Sequence, residues 1–588
     1  HLVGYETTLE EIKKRLRTLY RAAIAHGHAS PAQRSKFVNL DMEEYRDLNL
    51  TVDGFCQVLS EPEFEQFEAG IVLQAYLPDS FQTLKDQTAW AKNRQAHGGS
   101  GIKVRLVKGA NLAMEKVEAT MHDWEQAPYH SKLEVDANFK RMLNHACAPE
   151  HLEAVRIGVA SHNLFDIAYA LLLRENLDPT LAHRIEFEML EGMANAQAAT
   201  VQQRAGSLLI YAPIVQRDHF QSAIAYLVRR LEENTQDGNF LRDLFSLKEG
   251  SHAWEQQKSS FLAACKLADS PTLRSRPNRT QIRATEAPIP DPAGTAFRNA
   301  ADTDFALRPN RQWIQDIAEK WQHATLPPVT FSASPANLAD GQDPSRPGSI
   351  PYRYEIGDEN DVECALVRAT TAQRDWEALG IDGRAEILRN ATAVIARHRG
   401  DTIGCMMLDG GKAVMEADAE ISEAIDFANY YARALDDASG WFDGSELRAL
   451  GIVLVTPPWN FPYAIPAGGC LAALMAGNAV ILKPPLESVL TASKVAEHLW
   501  EAGVPRDVLQ FLTVPDNDIG KRLVTDDRVS AVILTGAYDT AKMFKDWKPE
   551  LRLSAETSGK NSLIITQAAD LDLAVKDLVK GAFGHAGQ

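Results

Sequence analysis

The stretch GIVLVTPPWNFPYAIPAGGCLAALMAGNAVIL (451–482) decides how the second half of this chain folds. It carries no charged residue and is longer than the ~20 apolar residues that suffice to cross a bilayer. Pro457, Pro458, Pro462 and Pro466 forbid one continuous helix, because each removes a backbone donor and clashes with the preceding turn. The stretch therefore divides into a strand, a proline-flanked turn, a small-residue helix and a second strand ending at Leu482.

Around this stretch the chain runs to 588 residues, too long for one ordinary domain, with 45% hydrophobic and 24% charged residues, a soluble globular composition. A formal net charge of -18 argues against nucleic acid as a partner, since phosphate binding needs clustered Lys and Arg. Cys56, Cys147, Cys265, Cys364, Cys405 and Cys470 are scattered without a C-x-x-C pair, which predicts neither a metal site nor a disulfide framework and fits a reducing cytoplasm. The chain begins at His1 without an initiator Met or a signal-peptide pattern, and reads as a fragment.

In the first half, Thr8 and Glu11 are placed to form a capping box, with Ile12, Leu16, Leu19, Ala23 and Ile24 on one helical face and Gly27 as a stop. Six short apolar runs follow, spaced by helical patterns: FVNLDM (37–42), GIVLQAY (70–76), KVRLVKGA (103–110), RIGVAS (156–161), IEFEML (185–190) and SLLIYAP (207–213). This alternation predicts parallel βα units, and suits a (β/α)8 barrel without its first two strands better than an open sheet. Asp41, Gln74, Arg105, Lys108, His162, Glu188 and Tyr211 fall at or near the ends of these runs, the end of a barrel that carries an active site. Further on, Tyr226, Arg229, Arg230 and Glu233 share a helical face. They form either a carboxylate clamp or an exposed Arg229–Glu233 pair.

From about Ser270 to Pro351 the composition turns to proline and small polar residues, interrupted by a helical piece around Trp313–Trp321, which reads as a linker. The expected organisation is a barrel over 1–270, a linker over 271–350 and a second α/β domain over 351–588.

The motifs TPPWNFPYAIP (456–466), AGNAVILKP (476–484), LTGAYDTAK (534–542), AETSGKN (555–561) and FGHAGQ (583–588) carry the chemistry of that domain. Asn460, on a rigid turn, is either a bland turn residue or an amide donor aimed at a developing oxyanion. In order and spacing these motifs resemble the aldehyde dehydrogenase family. The resemblance implies a Rossmann-like NAD-binding domain with Thr456, Pro457, Trp459, Lys483 and Gly536 at the cofactor, Asn460 in the oxyanion hole and Glu556 as general base. An apolar run before Glu556 and a glycine turn after it predict a desolvated carboxyl with a raised pKa. Leu486 stands where the family often has Glu, with Glu487 one place later, and Ala537 replaces the usual Ser. The family's nucleophilic cysteine follows A-G-Q by about two positions, where this chain ends at Gln588.

VNLDMEEY (38–45), IVLQAY (71–76), VRLVKGA (104–110), ASHN (160–163), YAP (211–213) and YLVRRLEEN (226–234) resemble the proline dehydrogenase barrel, and the two resemblances in one chain resemble proline utilization A proteins. The implied site has Gln74, Arg105, Lys108, Gly109 and His162 at FAD, and Asp41, Tyr211, Tyr226, Arg229, Arg230 and Glu233 around proline. Asn111 and Leu112 replace a common Tyr-Trp. The implied activity is bifunctional: FAD-dependent oxidation of proline to pyrroline-5-carboxylate, then NAD-dependent oxidation of glutamate semialdehyde to glutamate, with channelling between the sites. A membrane quinone would take the electrons from a cytoplasmic protein in peripheral contact with the inner face of the cell membrane, and homo-oligomerisation stays open. The rival reading is a single-activity flavin-barrel amine dehydrogenase with a structural aldehyde-dehydrogenase-like module.

Overall fold

The computed structural model describes residues 2–27, 36–217, 220, 223, 224, 228, 239–286, 296–437 and 445–587. The chain divides into two compact units, His1–Gln281 with Asp304–Arg311, and Ile282–Thr303 with Gln312–Gln588.

All six strand-forming runs of the first unit become strands: β1 (Asn39–Leu40), β2 (Gly70–Gln74), β3 (Ile102–Val107), β4 (Val155–Ala160), β5 (Ile185–Leu190) and β6 (Leu209–Tyr211). They form one parallel sheet in the sequential order β1-β2-β3-β4-β5-β6. An order that never reverses is that of a (β/α)8 barrel, since a doubly wound sheet changes direction at a switch point. The unit is part of such a barrel. Ile71, Leu73, Val104, Leu106, Ile157, Val159 and Phe187 join its apolar core. Alternation then puts Gln74, Lys103, Arg105, Gly158, Glu186 and Glu188 on the opposite face.

Helix α1 (Tyr5–Gly27) departs from the expectation at its start. Thr8 lies inside it and its hydroxyl donates to the Gly4 carbonyl at 3.0 Å, so it does not act as the cap. The buried stripe is Tyr5, Leu9, Leu16, Tyr20 and Ala23, and Leu19 is exposed. Tyr20 draws the stripe about one position round, its ring 5.6 Å from Phe64 and 5.0 Å from Phe67.

Outward of the strands lie α2 (Leu48–Leu59), α3 (Asp79–Ala96), α4 (Leu112–Met121), α5 (Lys132–Ala146), α6 (Leu164–Glu175), α7 (Asn195–Ala205) and α8 (His252–Ala268). The helix read within the linker spans α9 (Arg308–Gln322).

The second unit has a small antiparallel pair, β7 (Leu338–Asp340) with β8 (Arg353–Glu355), then α10 (Glu359–Ala378), α11 (Gly380–Arg397), α12 (Arg399–Asp409) and α13 (Val414–Asp437). The uncharged stretch folds as read, into β9 (Ile452–Thr456), a turn, α14 (Ala464–Met475) and β10 (Ala479–Leu482). After it come α15 (Val489–Glu501), β11 (Leu509–Phe511), α16 (Asp518–Thr525), β12 (Val529–Gly536), α17 (Tyr538–Trp547), β13 (Leu553–Thr557) and α18 (Leu571–Gly587). The five strands are parallel in the order β11-β10-β9-β12-β13. The order reverses at β9, which creates the crevice where doubly wound sheets bind ligands, at the carboxyl ends of β9 and β12. Part of the proline-rich linker lies along α13: Asn299 Nδ2 and the Ala300 N–H donate to Asp426, and Thr303 donates to Asp418. Among the described residues no helix is long and apolar enough to cross a membrane.

Candidate active sites

The polar face of the first sheet is an ionic ladder. Lys103 Nζ lies 2.7 Å from Glu186 Oε2 and 2.6 Å from Glu188 Oε1, and Arg105 Nε donates to Glu188 Oε2 at 2.5 Å. These pairs run from β3 to β5 over β4, which is possible because β4 presents Gly158 there. A Cβ at Gly158 would stand 2.2 Å from Glu188 Oε1 and 2.9 Å from Lys103 Cε. Such a ladder exchanges apolar packing for charge, which a fold tolerates only where each ion is paired. Tyr211, at the end of β6, places its ring 5.3 Å from the Arg105 guanidinium.

Gln74 shares the Arg105 face by register, because it pairs with Val107, two residues beyond Arg105. Its Nε2 donates to the Met42 carbonyl, while its buried Oε1 has no hydrogen-bond partner among the described residues. That buried acceptor, together with the Arg105 cation on the same face, fits a flavin ring system, which presents both donors and acceptors. His162 Nε2 accepts the Leu190 N–H at 3.1 Å, so a neutral ring carries its proton on Nδ1. Asp41 is exposed beyond β1.

Lys108, just after β3, lies 2.5 Å from Asp136 and 2.6 Å from Asp166. Burial works against its charge, but Asp166 and Asp136 overcome it and hold the ammonium above the usual lysine value. Burial likewise pushes Asp136 up, and Lys108 and Lys132 outweigh it to bring that carboxyl down to about 2. Lys140, 2.8 Å from Asp166, completes the cluster. Gly109 has a packing role of its own: its φ is +115°, and a Cβ would fall 2.5 Å from the Tyr76 ring. Tyr226, Arg229, Arg230 and Glu233 lie outside the described residues.

In the second unit the expected NAD-binding residues gather at the switch point. Thr456 ends β9, and its hydroxyl donates to the Ile533 carbonyl of β12 at 3.2 Å, tying together the two strands that flank the crevice. Pro457 is buried and Trp459 exposed. Lys483 follows β10 and its ammonium pairs with the exposed Asp516. Gly536 ends β12 outside the left-handed region, and a Cβ there would meet nothing closer than Leu534 Cδ1 at 3.7 Å. Among the described residues nothing demands glycine at that point. The open space lies one residue ahead of Ala537, the N-cap of α17, which makes no side-chain cap. A helix N-terminus beside open backbone, its Tyr538 N–H donating to Ser558 Oγ at 3.3 Å, fits a dinucleotide pyrophosphate.

Glu556 corrects one expectation. It lies in β13, the edge strand of the sheet among the described residues, and is exposed, where the flanking apolar run and glycine turn predicted a desolvated carboxyl. An apolar run signals a buried strand only when its faces are covered, and among the described residues Ser554, Ala555 and Glu556, on both faces of β13, are exposed. The cysteines offer no alternative nucleophile. Burial pushes the Cys56 thiol up to about 11 and Cys147 to about 12, and raises Cys265, Cys405 and Cys470. Cys364 is exposed on α10, next to Glu363, which binds Arg528 just before the start of β12.

Asn460 lies in the turn between β9 and α14. Its carbonyl accepts from Lys412 Nζ at 3.0 Å, and Lys412 pairs with Glu420. The sequence reading missed this buried pair. The available signal was Glu420 interrupting the apolar stripe of Ala417, Ala424 and Ala428 on α13.

Beneath the same turn, Tyr463 is fully buried with its hydroxyl 2.7 Å from His498 Nδ1, and His498 stacks on His398 at 4.7 Å. Burial first, then the neighbouring His398, lowers the His498 pKa to about 3. The unfolded chain takes that proton near pH ~6.5, so below it the unfolded state binds more protons and stability falls as pH drops toward 3. The expected loss from this group alone is about 2 kcal/mol by pH ~5. His498→Gln, which still accepts from Tyr463, should show correspondingly less acid loss in urea unfolding compared near pH 7 and pH 5. Equal losses in both proteins would remove His498 as the cause.

Comparison with known proteins agrees with this geometry. Residues 3–243 match the proline dehydrogenase family and residues 336–588 the aldehyde dehydrogenase family. A curated relative, the bifunctional protein PutA of Klebsiella aerogenes, is 29% identical over 613 residues, covering 99% of this chain and 44% of its own. A 1-pyrroline-5-carboxylate dehydrogenase of Staphylococcus haemolyticus is 31% identical over 314 residues, 50% of this chain and 61% of its own. The solved structure of proline utilization A from Corynebacterium freiburgense superposes with a TM-score of 0.78 at 38% identity, over 100% of this chain and 53% of that one. The chain thus spans about half the length of the bifunctional relatives it matches. With both family matches in one polypeptide and in the same order as the two units, the chain is similar along its whole length to the proline utilization A proteins.

Proposed function

We propose that the protein containing this chain oxidises proline to glutamate in two steps, with the barrel over 1–270, a linker over 271–350 and the aldehyde dehydrogenase domain over 351–588. The observation that carries this reading is the pairing, in one chain, of a barrel sheet whose polar face is a ladder of paired ions and a doubly wound sheet with an open glycine at its switch point. The names of the relatives, a bifunctional PutA and a 1-pyrroline-5-carboxylate dehydrogenase, agree with it.

In the barrel, Gln74, Arg105, Lys108, Gly109 and His162 hold FAD, and Asp41 and Tyr211 line the proline pocket. Tyr226, Arg229, Arg230 and Glu233 close it, the arginines on the substrate carboxylate. FAD supplies the two-electron acceptor for proline, and NAD the hydride acceptor for the semialdehyde. Arg105 offsets negative charge that develops on the acceptor side, and its bridge to Glu188 fixes where that charge sits. Pyrroline-5-carboxylate gains one water to become glutamate semialdehyde. In the second domain Thr456, Pro457, Trp459, Lys483 and Gly536 hold NAD. Asn460 donates to the oxyanion formed when a nucleophilic thiolate attacks the aldehyde. Glu556 then takes a proton from the water that releases glutamate. A membrane quinone as terminal acceptor, peripheral membrane contact at the cytoplasmic side and homo-oligomerisation belong to the same proposal.

Flavin spectroscopy tests the barrel assignment. The full-length protein should carry a bound flavin spectrum, and Arg105→Met should retain flavin while shifting its reduction potential negative and slowing reduction by proline about tenfold, a loss of ~1.4 kcal/mol at the barrier. A full-length protein that acquires no flavin spectrum when supplied with FAD overturns the assignment, and an unchanged potential in the variant takes Arg105 away from the ring.

A further inference from the structure

We propose that the buried Lys412–Glu420 pair is the positioning device of the Asn460 turn, setting the oxyanion donor without touching substrate. The proposal rests on the oxyanion reading of Asn460.

Both side chains are almost wholly buried, at 1% and 2% exposure. Removing two charges from water is costly, and the cost is offset only when the remaining hydrogen-bonding capacity of both ions is used. Here that capacity goes to a single short segment. Glu420 Oε2 accepts the N–H groups of Tyr463 and Ala464, each at 3.1 Å. Lys412 Nζ donates to the Asn460 carbonyl at 3.0 Å and lies 4.3 Å from the Phe461 ring. Four of the five residues from 460 to 464 are therefore held by one ion pair.

The arrangement suits the local backbone. Tyr463 is the N-cap of α14 and provides no side-chain cap, so the first amides of that helix need an external acceptor. A carboxylate at the positive end of the helix is the favourable choice. The Asn460 carbonyl, in turn, receives a cation. The turn is thus gripped at its start by the ammonium and at its end by the carboxylate, which leaves little freedom for the residue between β9 and α14.

The same helix reaches a second part of the site. Glu416, one turn before Glu420 on α13, accepts the His585 N–H at 2.9 Å, and the Phe461 and His585 rings lie 5.1 Å apart. One face of α13 therefore grips both the Asn460 turn and the segment that leads to Gln588. An ion pair kept only for stability has no reason to place all its spare donors and acceptors on this turn. An oxyanion donor does require such support, because a displacement of an ångström costs about a hundredfold in rate.

A double-mutant cycle in the full-length protein tests this, with semialdehyde oxidation, NADH binding by fluorescence and proline oxidation as readouts. Lys412→Met should lower kcat for semialdehyde oxidation about 10- to 100-fold, while NADH affinity and proline oxidation stay as they were. In an Asn460→Ala background the same change should cost less than about twofold, because the group it positions is already gone. An equal loss in both backgrounds, or none in either, overturns the proposal. Should Lys412→Met lose NADH binding, Glu420→Gln decides by the same comparison, and loss of NADH binding in both makes the pair a folding element and overturns the proposal. If Asn460→Ala alone leaves kcat unchanged, the oxyanion reading itself fails, a result distinct from additivity in the cycle.

Discussion

In full-length protein, Glu556→Gln should leave the first equivalent of NADH intact and slow every later turnover by about 10²- to 10⁴-fold, the range for loss of a general base. Acylation of the nucleophile produces NADH before water is needed, so only deacylation depends on the carboxylate. Proline oxidation should be unaffected, since Glu556 belongs to the second unit. Stopped-flow absorbance resolves the two phases. Loss of the burst together with the steady rate would move Glu556 to activation of the thiol, and an unaffected steady rate would return it to structure. Glu556 is exposed on β13, so its expected contribution comes from its position at the end of that strand.

The largest stability effect is expected at Glu188→Gln. The Glu188 carboxylate is almost wholly buried and is shared by Lys103 at 2.6 Å and Arg105 at 2.5 Å. An amide keeps the shape but removes the charge that compensates two cations, one of them, Lys103, itself only 3% exposed at the side chain. Breaking a buried pair in this way typically costs about 3–5 kcal/mol, because the orphaned ion stays in a medium that solvates it poorly. Guanidinium unfolding of the flavin-loaded full-length protein, followed by flavin fluorescence, reads the first unit. A midpoint unchanged from the parent would show that the ladder reorganises and that Gly158 is not needed to accommodate it.

Much of the fold was legible because the strands are short apolar runs bounded by polar ends. All six runs of the first half became strands, and the prolines of 451–482 divided that stretch at the right places. Where sequence reading failed, a tertiary neighbour decided the matter. Thr8 looks like a cap, yet the helix begins at Tyr5 because Tyr5 packs into the core and its hydroxyl donates to Asp53 at 2.6 Å, far away in sequence. Glu556 looks like a buried carboxyl, and its place at the sheet edge exposes it. Arg105 and Glu188 stood out singly as polar strand ends, but the ladder they form with Lys103 and Glu186 could not be seen. Spacing along a strand shows which face a residue takes and not which strand lies beside it. Glu420 interrupts an apolar stripe, but its pairing with Lys412 was hidden, since an ion pair between a residue of α13 and a loop residue eight positions before it has no periodic signature.

On the proposed function, one protein passes carbon from proline through a flavin site to an NAD site. The most direct measurement supplies full-length protein with proline, NAD and a quinone or dye acceptor, and follows flavin bleaching and NADH absorbance together. The expected result is flavin reduction by proline, followed by NADH in proportion to the proline consumed, with glutamate as product. Flavin reduction without NADH would leave the second unit as a structural module, and a flavin that proline does not reduce would contradict the account at its first step.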